Sequence, residues 1–172
     1  MVTSDPSGSI APRDFRTALG RFPSGITIMS TLQSGVAHAM TASAFTSVSL
    51  DPPLVLVCVD KGVRMHDAVL DCGYWAVSVI AESHRDLAER FAHSGRNLLS
   101  QFDGVATAAG PKTGCPLIEG ALSWLECRTW ATYDGGDHTI VVGEVISLAA
   151  NEATDPGPLI YYAGQYRELG GS

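Results

Sequence analysis

Apolar residues in this chain alternate more often than they recur at helical spacing. Residues 25–31 alternate and are rich in Ile and Thr, the pattern of a half-buried strand. Gln33-Ser34-Gly35 reads as a turn, and the chain returns as a strand from Val36. Residues 54–59 form an unbroken apolar run, consistent with a central strand. In residues 74–80, Trp75, Val77 and Val79 alternate with Tyr74, Ala76 and Ser78, which predicts another strand. Residues 122–133 and 138–148 predict two long strands turned around Asp134-Gly135-Gly136-Asp137, an antiparallel hairpin. Residues 159–162 and 165–168 predict a last short pair.

Helical signals are few and short. Residues 13–19 read as a helix ended by Gly20. Residues 64–70 predict a second. A third starts at Ser83, whose side chain is placed to cap the N–H near Asp86, with Leu87, Ala88 and Phe91 as its apolar stripe. Residues 95–115 are patternless and rich in Gly, Ala and Thr, which predicts a long loop. The total is about seven or eight strands, mostly hairpin-linked, without the crossover helices of a parallel sheet. The expected fold is mainly β with short helices, a closed or split antiparallel barrel. Residues 1–12 are expected to be a flexible N-terminal segment and residues 13–172 one domain.

Composition narrows the function. The chain has 172 residues, is 45% hydrophobic and 17% charged, and carries a net charge of −7. That charge argues against a nucleic-acid partner and against an anionic membrane surface. No apolar run is long enough to span a bilayer, and no signal-peptide pattern is seen, so the expectation is a cytoplasmic protein. Cys58, Cys72, Cys115 and Cys127 have no CxxC spacing and read as reduced thiols, with no metal site expected. Also absent are the GxGxxG, P-loop, GxSxG and HExxH patterns. A nucleotide would therefore have to be held without a Rossmann loop.

Four stretches could carry chemistry. Thr41, Ser43, Thr46, Ser47 and Ser49 crowd one strand-like region that ends at Pro52-Pro53. Hydroxyls beside a stiffened turn suit a flat ligand with polar edges, although Ser and Thr also suit the solvent face of a strand. The turn Asp60-Lys61-Gly62-Val63-Arg64 puts two cations next to a helix start, where a phosphate could sit, or it is an ordinary charged turn. His138 opens a strand directly after a tight turn, presented to a cleft or left at a strand end, and it has no evident partner in the sequence. Phe91-Ala92-His93-Ser94-Gly95-Arg96 closes a helix with a cation near its C-terminus.

Taken in order, residues 38–53, the strand to Asp60, Phe91-Ala92, residues 122–127, Gly136-Asp137-His138-Thr139-Ile140 and residues 158–166 resemble the flavin reductase family with the FMN-binding split-barrel fold. These are the small reductase components of two-component flavin-dependent monooxygenases. The resemblance covers roughly residues 15–169. It implies a homodimeric split barrel that uses NADH or NADPH to reduce FAD or FMN and supplies a partner monooxygenase. It implies flavin contacts from Thr41, Ala42, Ser43, Ser47, Val48 and Ser49, and a phosphate end at Cys58, Val59, Asp60, Lys61 and Arg64. Phe91, Ala92 and Arg96 would complete that pocket. His138 would position the nicotinamide, with Tyr166 close by. Two positions depart from the family pattern: Ala39, where glycine is common, and Val63, where a hydroxyl is common. The rival readings are a non-catalytic flavin-binding or electron-carrier protein on the same fold, and a barrel without a ligand.

Overall fold

The alternating stretches become strands of three antiparallel sheets. The computed structural model describes residues 9–151 and 157–169. Its strands are β1 (Ser24–Gly25), β2 (Thr27–Gln33), β3 (Val36–Ala42), β4 (Phe45–Leu50), β5 (Pro53–Asp60), β6 (Tyr74–Val79), β7 (Thr107–Ala109), β8 (Pro116–Ile118), β9 (Ser123–Gly135), β10 (His138–Ala150), β11 (Leu159–Tyr162) and β12 (Gln165–Glu168). The helices are α1 (Pro12–Leu19), α2 (Arg64–Cys72) and α3 (Arg85–Ala92).

Seven strands form the main sheet, in the order β3-β2-β6-β9-β10-β5-β4. Its two outermost strands, β3 and β4, are consecutive in the chain and joined only by Ser43-Ala44. The sheet must therefore curl until its ends meet, and the Cys58 amide, donating to the Ala44 carbonyl (3.0 Å), carries the β4–β5 ladder up to that seam. This is the split antiparallel barrel expected above.

Alternation decides what lies inside. Val55, Val57 and Val59 of β5, Val141, Cys127, Trp75, Val77 and Met29 point inward, and Met65 and Val69 of α2 join them. Gly143 admits the Trp75 indole: a Cβ there would stand 2.3 Å from Trp75 Cζ2 and 2.9 Å from Cys127 Cβ. A second core lies outside the barrel, where Ile26, Ile28, Ile80, Ala88, Phe91, Ile118 and Leu159 pack α3 and the small sheets against β2 and β6. Among the described residues no such core covers the outer face of β5 and β10, and Leu56, Cys58 and Ile140 stay partly exposed there.

Several expectations are corrected. The hydroxyl-rich stretch is two strands, β3 and β4, at opposite ends of the sheet order. Ser83 lies in a 3-10 turn, Glu82–His84, and caps nothing: His84 precedes α3 and no side chain caps it. The loop of residues 95–115 contains β7, which pairs with β8. The β9–β10 turn is two residues, Gly136-Asp137, because β9 continues through Gly135, which pairs with His138. Gly136 adopts φ 79°, as the first position of a tight hairpin turn requires. Most of the expected flexible segment falls on residues 1–8, outside the described residues, and Pro12 already begins α1.

Candidate functional site

Two cavities flank the seam between β3 and β4. The first, about 290 Å³, is walled by His38 to Thr41 of β3, Gly62 to Met65 of the β5–α2 turn, and Phe91 with the segment that follows α3. The second, about 640 Å³, is a wider groove between α1 and the start of β4, lined by Ser43, Thr46, Leu56, Cys58, Phe22 and Tyr161. Thr41 opens into the first and Ser43 into the second, while Ala42 between them is buried in the core. The seam thus links the two cavities.

The first cavity is cationic. Arg64 and Arg96 line it, with His38 and His93, and no carboxylate does. Arg96 is fixed by three carbonyls: its Nη1 donates to Arg90 O (3.1 Å) and to His93 O, and its Nη2 to Ala39 O (2.8 Å). The guanidinium lies over the Phe91 ring, 5.4 Å from its centroid. Its Nε is buried without a partner. Burial, and then the charges of Arg64 and Arg90, hold Arg96 below the usual arginine range, so the cluster is a repulsive one that an anion would relieve. Burial, followed by Arg64, likewise lowers His38 and favours its neutral form. Thr41 Oγ1 donates to Ala88 O (2.7 Å), so its hydroxyl proton is already used and its lone pairs remain.

The turn between β5 and α2 divides its residues. Asp60 Oδ1 accepts from the Gly62 amide (2.6 Å) and shapes the turn. Arg64 donates to the Arg96 carbonyl and faces the first cavity. Lys61 does not: its Nζ donates to the Asp134 carboxylate and to Gly136 O (2.7 Å) across the β9–β10 turn. The opposite charge of Asp134 and a free carbonyl on the neighbouring hairpin outcompete the cavity for this ammonium.

Other expected contacts are also dispersed. Val59 is fully buried in the barrel core, so only its backbone can reach a ligand. Ser47, Val48 and Ser49 continue along β4 beyond both cavities. Cys58 lines the second cavity, not the first, and burial raises its thiol. Ala92 and Phe91 line the first. Tyr166 stands against α3: its hydroxyl donates to Ala88 O (3.3 Å) and its ring meets Tyr161 edge-on at 5.5 Å. It lines neither cavity.

His138 pairs with Asp60, so it shares the outer face with Cys58 and Ile140, one rank away on β5 and β10. Its Nδ1 lies 2.7 Å from Asp137 Oδ1. That carboxylate is held below the usual range by the bond to His138 and by its charge. The arrangement assigns the proton to Nδ1 and leaves Nε2 outside that bond. The partner is thus the adjacent residue, Asp137, a signal present in the sequence and missed. The roles of His38 and His93 at the cation cavity were missed too, since folding alone brings β3 beside the end of α3.

The chain matches the family model described as "Flavin reductase like domain" over residues 19–170. It is 39% identical over 172 residues to an NADH-dependent FAD reductase of Streptomyces globisporus, covering 98% of this chain and 93% of that one. It is 38% identical to the reductase subunit HsaB of a flavin-dependent monooxygenase of Mycobacterium tuberculosis, covering 93% and 83%. Among solved structures, BorF, the flavin reductase component of a bacterial two-component tryptophan halogenase, superposes with a TM-score of 0.86 at 41% identity, covering 92% and 98%. The NADH:FAD oxidoreductase SgcE6 of Streptomyces globisporus C-1027, solved with NAD and FAD fragments, superposes with a TM-score of 0.88 at 37% identity, covering 98% and 97%.

Proposed function

This chain belongs to the flavin reductase family, and we propose that it is an NAD(P)H:flavin oxidoreductase that supplies reduced FAD or FMN to a partner monooxygenase. The observation that carries the site assignment is the carboxylate-free cavity of Arg64 and Arg96 beside the groove at Ser43. An anionic phosphate fits the first, and a flat ring system fits the second, with Thr41 and Ser43 at the junction.

The residues present suit flavin, which when bound supplies the hydride-accepting ring. Arg64 and Arg96 would hold its phosphate end, and Ser43, Thr46 and Cys58 would line the ring. Ser47, Val48 and Ser49 are left for a contact beyond these cavities. His138, held by Asp137, lies on the same face of the sheet and would orient a nicotinamide amide. No acid–base pair is needed: alignment of two rings and exclusion of water carry the rate.

The uncovered outer face, with Leu56, Cys58 and Ile140, supports a homodimer in which a second copy closes the groove. Four free thiols agree with a reducing, cytoplasmic setting. Among the described residues, no helix is long and apolar enough to cross a membrane.

The test crosses FAD and FMN with NADH and NADPH in a steady-state oxidation assay. Nicotinamide oxidation that depends on added flavin is expected. Retained yellow flavin without turnover would instead make the protein a carrier, and no flavin binding at micromolar flavin would remove the proposal. A sedimentation measurement showing only monomer would remove the dimer.

A further inference from the structure

The turn that faces the anion cavity also holds the hairpin that carries His138: the β5–β10 ladder pairs Asp60 with His138, and Lys61 extends that link onto the β9–β10 turn. The Lys61 amide donates to Asp137 O (3.0 Å), and Lys61 Nζ donates to Gly136 O (2.7 Å) and to Asp134. These bonds grip the β9–β10 turn on both flanks, at Asp134 before it and at Gly136 and Asp137 within it. His138 follows directly, its Nδ1 on Asp137. On the other side of Lys61, Gly62, Val63 and Arg64 line the anion cavity.

Lys61 and Asp134 are 41% and 80% exposed, so the ion pair by itself adds little to stability. The bond to Gly136 O differs, because it fixes the geometry of a two-residue turn. A tight turn has few other ways to hold its carbonyls. The carboxyl of Asp134 is held below its usual range, by the Lys61 hydrogen bond first and its charge second.

We propose that Lys61 is a positioning residue for His138, strapping the histidine's turn to the turn that binds the flavin phosphate, and not itself a flavin ligand. This rests on the reading that His138 meets the nicotinamide. The strap makes one rigid unit of two half-sites: Arg64 at the anion cavity and His138 at the open face. Loss of the Lys61 ammonium leaves the ladders at His138 and the Lys61 amide bond in place but frees Asp134 and Gly136 O, loosening the turn that sets the Asp137–His138 pair, while Arg64 and Arg96 keep their own carbonyl partners.

The experiment compares full-length wild type, Lys61→Met, Lys61→Arg, His138→Ala and the Lys61→Met/His138→Ala double variant. Flavin affinity is read by fluorescence titration, and KM and kcat are read with NADH. Lys61→Met keeps the aliphatic stem and removes the donors. It is expected to raise the KM for NADH about fivefold, the size of one or two surface hydrogen bonds, with flavin affinity within about twofold of wild type. Lys61→Arg is expected to recover most of the loss. The double variant is expected to match His138→Ala alone, because the strap acts through that histidine.

Weaker flavin binding with an unchanged NADH KM in Lys61→Met would overturn the proposal and make Lys61 a phosphate ligand. An additive double variant would overturn it as well. If His138→Ala is impaired and Lys61→Met matches wild type, positioning fails and the reading of His138 survives. If His138→Ala itself matches wild type, the reading of His138 fails and positioning falls with it.

Discussion

Replacing Arg96 separates structural support from ligand binding at the cation cavity. Arg96 joins the end of α3 to β3: Arg90 O and His93 O accept from Nη1, and Ala39 O accepts from Nη2. Lysine keeps the charge but offers a point donor where the planar fork reaches both elements. Arg96→Lys should keep one of these links and lose the others. A hydrogen bond from a charged group contributes about 1.5–3 kcal/mol, and a half-buried side chain regains part of that from water, so the expected cost is about 2–3 kcal/mol. For a chain of this length that lowers Tm by about 4–12 °C. Arg96→Met should destabilise by a similar amount and also weaken flavin binding about tenfold or more, since it removes one of two arginines on the phosphate. The assay is a thermal melt followed by circular dichroism, paired with flavin titrations at low and high salt. The Met variant should show the flatter salt dependence. An Arg96→Lys protein with wild-type Tm would refute the bridging role, and an Arg96→Met protein with wild-type flavin affinity would refute the anion assignment.

Three further outcomes are expected. Gly143→Ala drives a methyl into Trp75 and Cys127, both fully buried, and should cost about 1–3 kcal/mol, seen as a lower urea midpoint at unchanged slope; an unchanged midpoint would mean the indole can move. Glu126 is buried, and burial alone would raise its carboxyl, but bonds from Thr113 Oγ1 and the Thr113 and Lys112 amides hold it below the usual range. A depressed carboxyl stabilises fully above its unfolded value and loses that contribution as pH falls through its folded value, so Glu126→Gln should destabilise by about 1–3 kcal/mol at pH 7, with the gap to wild type narrowing on acidification; urea melts showing a constant gap from neutral to acid pH would count against it. Burial pushes the Cys127 thiol up to about 12, so a thiol reagent at pH 8 should leave Cys127 unmodified in the native protein and label it after denaturation, read by mass spectrometry; native labelling of Cys127 would show that the barrel opens.

The barrel was legible because two-residue periodicity survives in β2, β6, β9 and β10, and because the β11–β12 pair is bounded by a turn at Ala163-Gly164. Other features depend on distant partners. No local signal separates β3 from β4, since Thr41 to Ser49 mixes hydroxyl and small or apolar residues without a turn signal. The break at Ser43-Ala44 comes where the chain leaves β3 and Ala44 joins the β4–β5 ladder at Cys58. Ser83 resembles a helix cap locally, but the bond from His84 N to Ala81 O begins a 3-10 turn earlier. Lys61 resembled a phosphate ligand because Asp134, which engages it, is 73 residues away. The family resemblance implies Tyr166 close to His138, whereas its hydroxyl and that of Thr41 converge on one carbonyl of α3, Ala88 O.

The departure at Val63 sharpens how a chain of net charge −7 can hold an anion. Val63 is the residue before α2, with extended backbone, and no side chain caps the helix. A hydroxyl here would occupy one of the first-turn N–H groups, as serine and threonine do at helix starts. Without it, the first amides of α2 stay unpaired by side chains, at the wall of the cavity lined by Gly62 to Met65. The lost hydroxyl is therefore offset by amides and the positive end of α2, with Arg64 on the first turn and Arg96 facing it. The carboxylates nearest this turn are spent elsewhere: Asp60 on the Gly62 amide, Asp67 on His66, Asp134 on Lys61. Local positive potential survives in an acidic protein because no carboxylate lines the cavity and each of these acidic groups already has a partner.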